Sequence, residues 1–140
     1  MATDNIDIQS VMNSTWTSNS NFSLATVYEG QEYTPVHGTP YARLTITPSD
    51  AYPVTMGSGG EDEEIGILFV DLHYPAGAGM GDVLRKADEI QTAYKVGTHG
   101  PSGGVHLHVT SNRRSGGRVK DGWQMVTIEV GYRARKTRPT

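Results

Sequence analysis

Residues 65–74, "IGILFVDLHY", put apolar side chains on both alternating faces of an extended chain. Neither face of such a strand gains by meeting water, so the run belongs in the middle of a sheet. The rest of the chain must then supply strands on both sides and a covering layer. "YARLTIT", residues 41–47, is one such neighbour. Ala42, Leu44 and Ile46 point one way, and Tyr41, Arg43, Thr45 and Thr47 the other. Pro48 and Pro53 are expected to break or edge it. "GVHLHVT" alternates through Val105, Leu107 and Val109, and "WQMVTIEVGY" through Val126, Ile128 and Val130. These two are expected to pair as a long hairpin.

Helical spacing occurs twice. Asp4 is a fitting N-cap for residues 4–16, where Ile8, Met12 and Trp16 recur every fourth position. Val83, Ala87, Ile90 and Tyr94 give residues 82–95 an apolar stripe, with Gly97 as the stop. The order α–β–β–α–β–β predicts an α+β fold. It is a mostly antiparallel sheet with an N-terminal helix and one central helix packed on it. The 140 residues fit a single domain, 1–140. Flexible loops are expected near 57–64 and 111–121, with a basic C-terminal tail over 133–140.

Charge is unevenly spread. Residues 1–64 hold nine acids and one base, whereas residues 65–140 hold six acids and eleven bases. Such asymmetry favours contacts between unlike surfaces of partners or copies. There are no cysteines, so disulfides and thiolate metal sites are excluded. The opening "MATDNIDIQS" has no basic start and apolar run, so no signal peptide is expected. The longest aliphatic–aromatic run, "ILFV", is far short of a membrane span, so no membrane partner is expected.

Three motifs invite a chemical reading. The glycine corner in "DLHYPAGAGMGD", residues 71–82, follows a strand and opens a helix, as phosphate loops do. Its G-x-G-x-G spacing misses the dinucleotide pattern, and it has no Gly-Lys-Ser/Thr ending. Asp82 also sets a negative charge where a phosphate would sit. His106 and His108 share one face of a strand and, with His73 or Asp71, would make a three-ligand zinc set. Exposed strand histidines are the plainer reading. The run Glu61, Asp62, Glu63, Glu64 lacks the alternating oxygen ligands of a calcium loop and reads as a solvated loop. No catalytic, metal or cofactor motif is present, and no cofactor is expected. The basic set Arg113, Arg114, Arg118, Lys120, Arg133 and Arg135 is interleaved with few aromatics and matches no nucleic-acid module.

Three blocks, in order, resemble one family. They are "VYEGQEYTPVHGTPYARLTI", "GILFVDLHYPAGAG" and "DGWQMVTIEVGYRA", spanning residues 27–134. They are similar to the small tail-terminator, or tail-completion, proteins of long-tailed bacteriophages. The resemblance rests on Gly38, Thr39, Pro40, Tyr41 and Arg43. It rests also on Asp71, Tyr74, Pro75, Gly77 and Gly79, and on Trp123, Tyr132 and Arg133. Tyr28 stands where the family more often has tryptophan. The resemblance implies an α+β sheet with flanking helices and a six-membered ring of identical subunits. That ring would cap the tail tube, end its polymerisation and meet the head-completion proteins of the neck. Its partners would be itself, the tube protein and a neck protein, with DNA passing through the lumen without specific binding. It would reside in the virion at the tail–neck junction, and in the host cytoplasm during assembly. The acidic run Glu61, Asp62, Glu63 and Glu64 is expected to face the lumen and repel phosphates. Arg113, Arg114, Arg118, Lys120, Arg133 and Arg135 are expected to contact a neighbouring subunit or neck protein. The rival readings are another neck, head–tail joining or minor tail protein and, more distantly, a small nucleotide- or metal-binding enzyme.

Overall fold

The computed structural model describes residues 4–36, 38–53, 61–77, 79–102 and 105–137. The chain opens with helix α1, Asp4–Ser18, and a tight turn, Ser20–Ser23. Strands β1, Ala25–Val27, β2, Tyr41–Pro53, and β3, Glu61–Pro75, follow. Helix α2, Gly81–Ala93, leads into β4, Gly97–Ser102, and β5, Val105–Arg114. Strands β6, Arg118–Lys120, and β7, Trp123–Thr137, complete the chain. They form one seven-stranded sheet in the order β1-β2-β3-β7-β5-β4, with β6 also on β7. All pairs are antiparallel except β1 with β2. The predicted α+β architecture holds.

The apolar run of residues 65–74 is central in the strand order, as expected, though the helices cover only its Leu68, Val70 and Leu72 face. It pairs with β2 through Tyr41↔His73 and with β7 through Leu72↔Val126 and Leu68↔Val130. Leu68, Val70 and Leu72 are wholly buried, beside Ala42 and Leu44 of β2 and Val126, Ile128 and Val130 of β7. Helix α2 lays Val83, Ala87 and Ile90 on this face, and α1 adds Ile8, Val11, Met12 and Trp16. Each helix turns its apolar stripe inward, because successive turns bring positions three and four apart onto one side.

Four expectations need correction. Residues 61–64 are not a loop: they open β3, pairing with Ala134–Thr137 on one side and, from Asp62 on, with Ala51–Pro53 on the other. Pairing on both edges satisfies their backbone groups, which outweighs the local preference of acidic residues for loops. The rest of that expected loop, 57–60, lies outside the described residues. The expected loop 111–121 is mostly strand, irregular only at 115–117 and at the turn 121–122. The expected tail 133–140 continues β7 as far as Thr137, and its last three residues lie outside the described set. Pro48 does not end β2. Its nitrogen faces away from β3, so no ladder bond is lost, and pairing resumes beyond a bulge between Pro48 and Asp50.

The predicted hairpin forms, with β5 and β6 both paired to β7. Asp121 and Gly122 turn it with φ of 52° and 81°, the left-handed pair that a two-residue hairpin demands. Strands β1, β4 and β6 were not foreseen, since each is short and lacks an alternating apolar pattern.

Residues Ser20–Ser23 all have positive φ, between 53° and 59°. Left-handed backbone in non-glycine residues costs roughly 1–2 kcal/mol each. Two contacts hold the turn. Phe22 is buried 4.7 Å from the Trp16 ring, and Lys86 Nζ donates to the Phe22 carbonyl at 2.7 Å.

Candidate assembly surface

Alternation along the strands leaves a second sheet face, on which no described helix or strand packs. Its residues are Tyr41, Arg43, Thr45 and Thr47 of β2, the odd-numbered residues among 63–75 of β3 and 123–135 of β7, and Arg113 of β5. Cross-strand rungs order it. Thr45, Phe69, Glu129 and Arg113 form one rung, and Arg43, Asp71 and Thr127 another. An apolar stripe of Ile65, Ile67 and Phe69 runs up the middle, with Ile65 37% exposed.

One end of this face is aromatic. Tyr33, from the segment after β1, stacks on Tyr41 at 4.9 Å, and Tyr41 stacks on His73 at 4.2 Å with planes 5° apart. Trp123 meets Tyr41 edge-on at 5.2 Å. Beside the stack, Thr127 Oγ1 donates to Asp71 Oδ1 at 2.6 Å and accepts from Arg118 Nη2 at 3.4 Å. Burial lowers the His73 pKa, Asp71 opposes that shift, and Arg43 and Arg118 reinforce it. A lowered folded pKa means the unfolded imidazole binds its proton more tightly. The stability from neutral His73 is therefore complete above about pH 6.5 and is lost as pH falls through that value toward the folded pKa. A His73→Phe variant keeps a stacked ring and is expected to lose less stability between pH 7 and pH 5 than the parent. Denaturant melts across that range check it; equal slopes would refute it.

The expected contact residues are spread along β5–β7. Arg113 forms a forked pair with Glu129, Nε–Oε2 at 3.0 Å and Nη2–Oε1 at 3.1 Å. Arg114 Nη1 donates to the Ser115 carbonyl at 2.9 Å. Arg118 joins the Thr127–Asp71 relay, and Lys120 is exposed beside the hairpin turn. Arg133 and Arg135 lie near the opposite end of β7, about 30 Å from Arg118's partner Met125 at strand rise. Together with Glu63, Thr98, Leu107 and His108 they line a cleft of about 290 Å³. The six cations are thus not one patch.

The acidic and basic runs, far apart in sequence, lie side by side in the sheet. Asp62 is opposite Lys136, Glu63 opposite Arg135, and Ile65 opposite Arg133, whose Nε is 3.8 Å from Glu63 Oε1. Glu64 points to the helical side instead. It is 5% exposed and accepts a 2.9 Å hydrogen bond from the Tyr132 hydroxyl. Both the carboxylate and burial raise the Tyr132 pKa, burial more strongly. Sequence reading missed this division of labour because it took the four acids as a loop, where alternation carries no meaning.

The glycine corner turns the chain and braces it. Gly77 and Gly79 have φ of 93° and 81°. Ala76 N–H donates to the Gly122 carbonyl at 2.9 Å, tying the corner to the hairpin turn. Met80 lies against Gly117 so closely that a Cβ there would sit 2.6 Å from its methyl carbon. Asp82 pairs with Arg85 within the first turn of α2. The zinc set does not assemble. His73 is opposite Met125 and His108 opposite Arg133, about 26 Å apart along β7. Asp71, two residues from His73 and opposite Thr127, is about 20 Å from that position. Among the described residues no three His, Asp or Glu side chains are grouped to hold a metal, and no helix is long and apolar enough to cross a membrane.

The family model for phage tail terminator protein matches residues 9–132. No curated protein matches the sequence. One solved structure, 19% identical, covers 99% of this chain and 98% of its own length with a TM-score of 0.73. At that identity the likeness is one of fold.

Proposed function

The chain belongs to the phage tail terminator protein family, and on that membership we propose that it caps the tail tube, ends its polymerisation and joins the tail to the head–neck complex. Membership itself places it among structural components of the phage tail, and so in the virion. The finer reading is a ring of six copies at the tail–neck junction, assembled in the host cytoplasm. Its partners are the tube protein below, a neck protein above and DNA passing through the lumen without specific binding. The protein has no catalytic task in this reading. What supports it is the single observation of the family match over residues 9–132. The uncovered sheet face, with ordered rungs of charge around an apolar stripe, is the kind of surface an assembly protein needs.

In this reading Arg118 and Lys120, at one end of β7, and Arg133 and Arg135, near the other, serve separate contacts, with Arg113 and Arg114 beside the middle of the strand. The lumen role rests on Glu63, since Asp62 alternates to the side of Glu64. Glu64 is left out, since neutralising that buried group would disturb the fold.

A phage lacking this protein is expected to make overlong tails without heads. Electron microscopy of lysates measures the length distribution. Tails of normal length would overturn the terminator reading.

A further inference from the structure

The outer edge of β2 is one border of the sheet. β1 pairs only with Tyr41–Arg43, so no described strand lies beyond Leu44–Pro53. An edge of that length ordinarily presents a row of outward N–H groups, a template for another strand.

From Ile46 onward, each outward position lacks an available donor. Ile46 N–H points away from β3, because it donates to Glu29 Oε1 at 2.9 Å. Two residues on, facing the same way, is Pro48, which has no N–H. The bulge before Asp50 then resets the alternation. Ala51 N–H is the next outward donor, and it donates to Asp50 Oδ1 at 2.8 Å. Two residues further is Pro53. Two prolines and two carboxylates thus close four outward positions in a row. Glu29 is 17 residues from Ile46 in sequence, so its placement depends on the fold and is no local accident of the strand.

We propose that this is a guarded edge: Glu29, Pro48, Asp50 and Pro53 bar a second copy of this chain from extending the sheet at β2. A second copy is the partner to exclude, because it carries the same edge at the same concentration. Two such edges would also bring the Glu29 and Asp50 carboxylates of both copies together, which repels. Copies then associate through other surfaces.

The test removes the guards. Glu29→Ala, Pro48→Thr, Asp50→Ala and Pro53→Thr are combined, with Thr47→Cys as reporter in a chain that has no cysteine of its own. The combined variant is expected to form species larger than the parent as concentration rises, by size exclusion with light scattering. Mild oxidation is expected to link its copies through Cys at position 47, with little linkage when only Thr47→Cys is present. A folded variant that keeps the parent's size and linkage would overturn the proposal. Should the combined variant fail to fold, Glu29→Ala with Thr47→Cys alone decides. Its Ile46 amide should exchange about tenfold faster, the loss of one charged hydrogen bond, and its linkage should rise. Unchanged linkage in that variant would overturn the proposal. Tail length enters none of these readouts, so this inference stands or falls apart from the terminator reading.

Discussion

A Trp16→Ala variant is expected to lose about 3–5 kcal/mol of folding stability, the usual loss for a large aromatic removed from a closed core. Trp16 is fully buried on α1. Its indole Nε1 donates to Thr26 Oγ1 at 2.8 Å, tying the helix to β1. Its ring also backs Phe22 in the left-handed turn. Alanine therefore opens a cavity, frees a partly buried hydroxyl and removes the support of a strained turn. Against a typical domain stability of about 5–15 kcal/mol, that is enough to leave a substantial unfolded fraction under mild denaturant. The chain has two tryptophans, so Trp123 remains as a fluorescent reporter in urea titrations. A loss below about 1 kcal/mol, the scale of an ordinary surface change, would show that α1 is not part of the cooperative core.

Gly66→Ala is expected to cost roughly 2–6 kcal/mol, from overpacking of about 1–3 and disturbance of a buried hydrogen bond of about 1–3. A Cβ at Gly66 would sit 2.6 Å from the Tyr132 hydroxyl oxygen and 2.9 Å from the Thr47 carbonyl oxygen. The carbonyl belongs to the β2 backbone and yields only if the β2–β3 ladder opens. The Tyr132 ring yields only by leaving Glu64, whose Oε2 accepts its hydroxyl proton. A double-mutant cycle with Tyr132→Ala separates the two obstacles. If the ring is the main one, Gly66→Ala costs much less once the ring is gone. Equal cost in both backgrounds would place the whole effect in the backbone.

The central strand was legible because alternation is a local property and "IGILFVDLHY" is apolar on both faces. Both helices were legible for the same reason, and each boundary fell within about two residues, as helix ends do. What escaped was everything set by pairing. Nothing in "GSGGEDEE" says that Asp62 and Glu63 will lie opposite Lys136 and Arg135, because half the chain intervenes. Nor does Pro48 reveal that its nitrogen will face away from β3 and let β2 continue. The aromatic stack was equally hidden. Tyr33, Tyr41, His73 and Trp123 come from four separate segments and meet only once the β2–β3–β7 register is fixed. Asp121-Gly122 is the one hairpin signal that local chemistry does carry, since that dipeptide favours the left-handed pair.

The face on which no described helix or strand packs has a thermal consequence. A sheet clothed on one side buries less apolar surface per residue than one clothed on both. An isolated copy should therefore unfold with a modest heat-capacity increment for its length. Any assembly that covers Ile65, Ile67 and Phe69 adds the missing burial at the moment of contact. Its formation then carries a negative heat-capacity change and weakens on cooling. For such a protein the cold room is a mild dissociating agent, and warmth favours the finished particle.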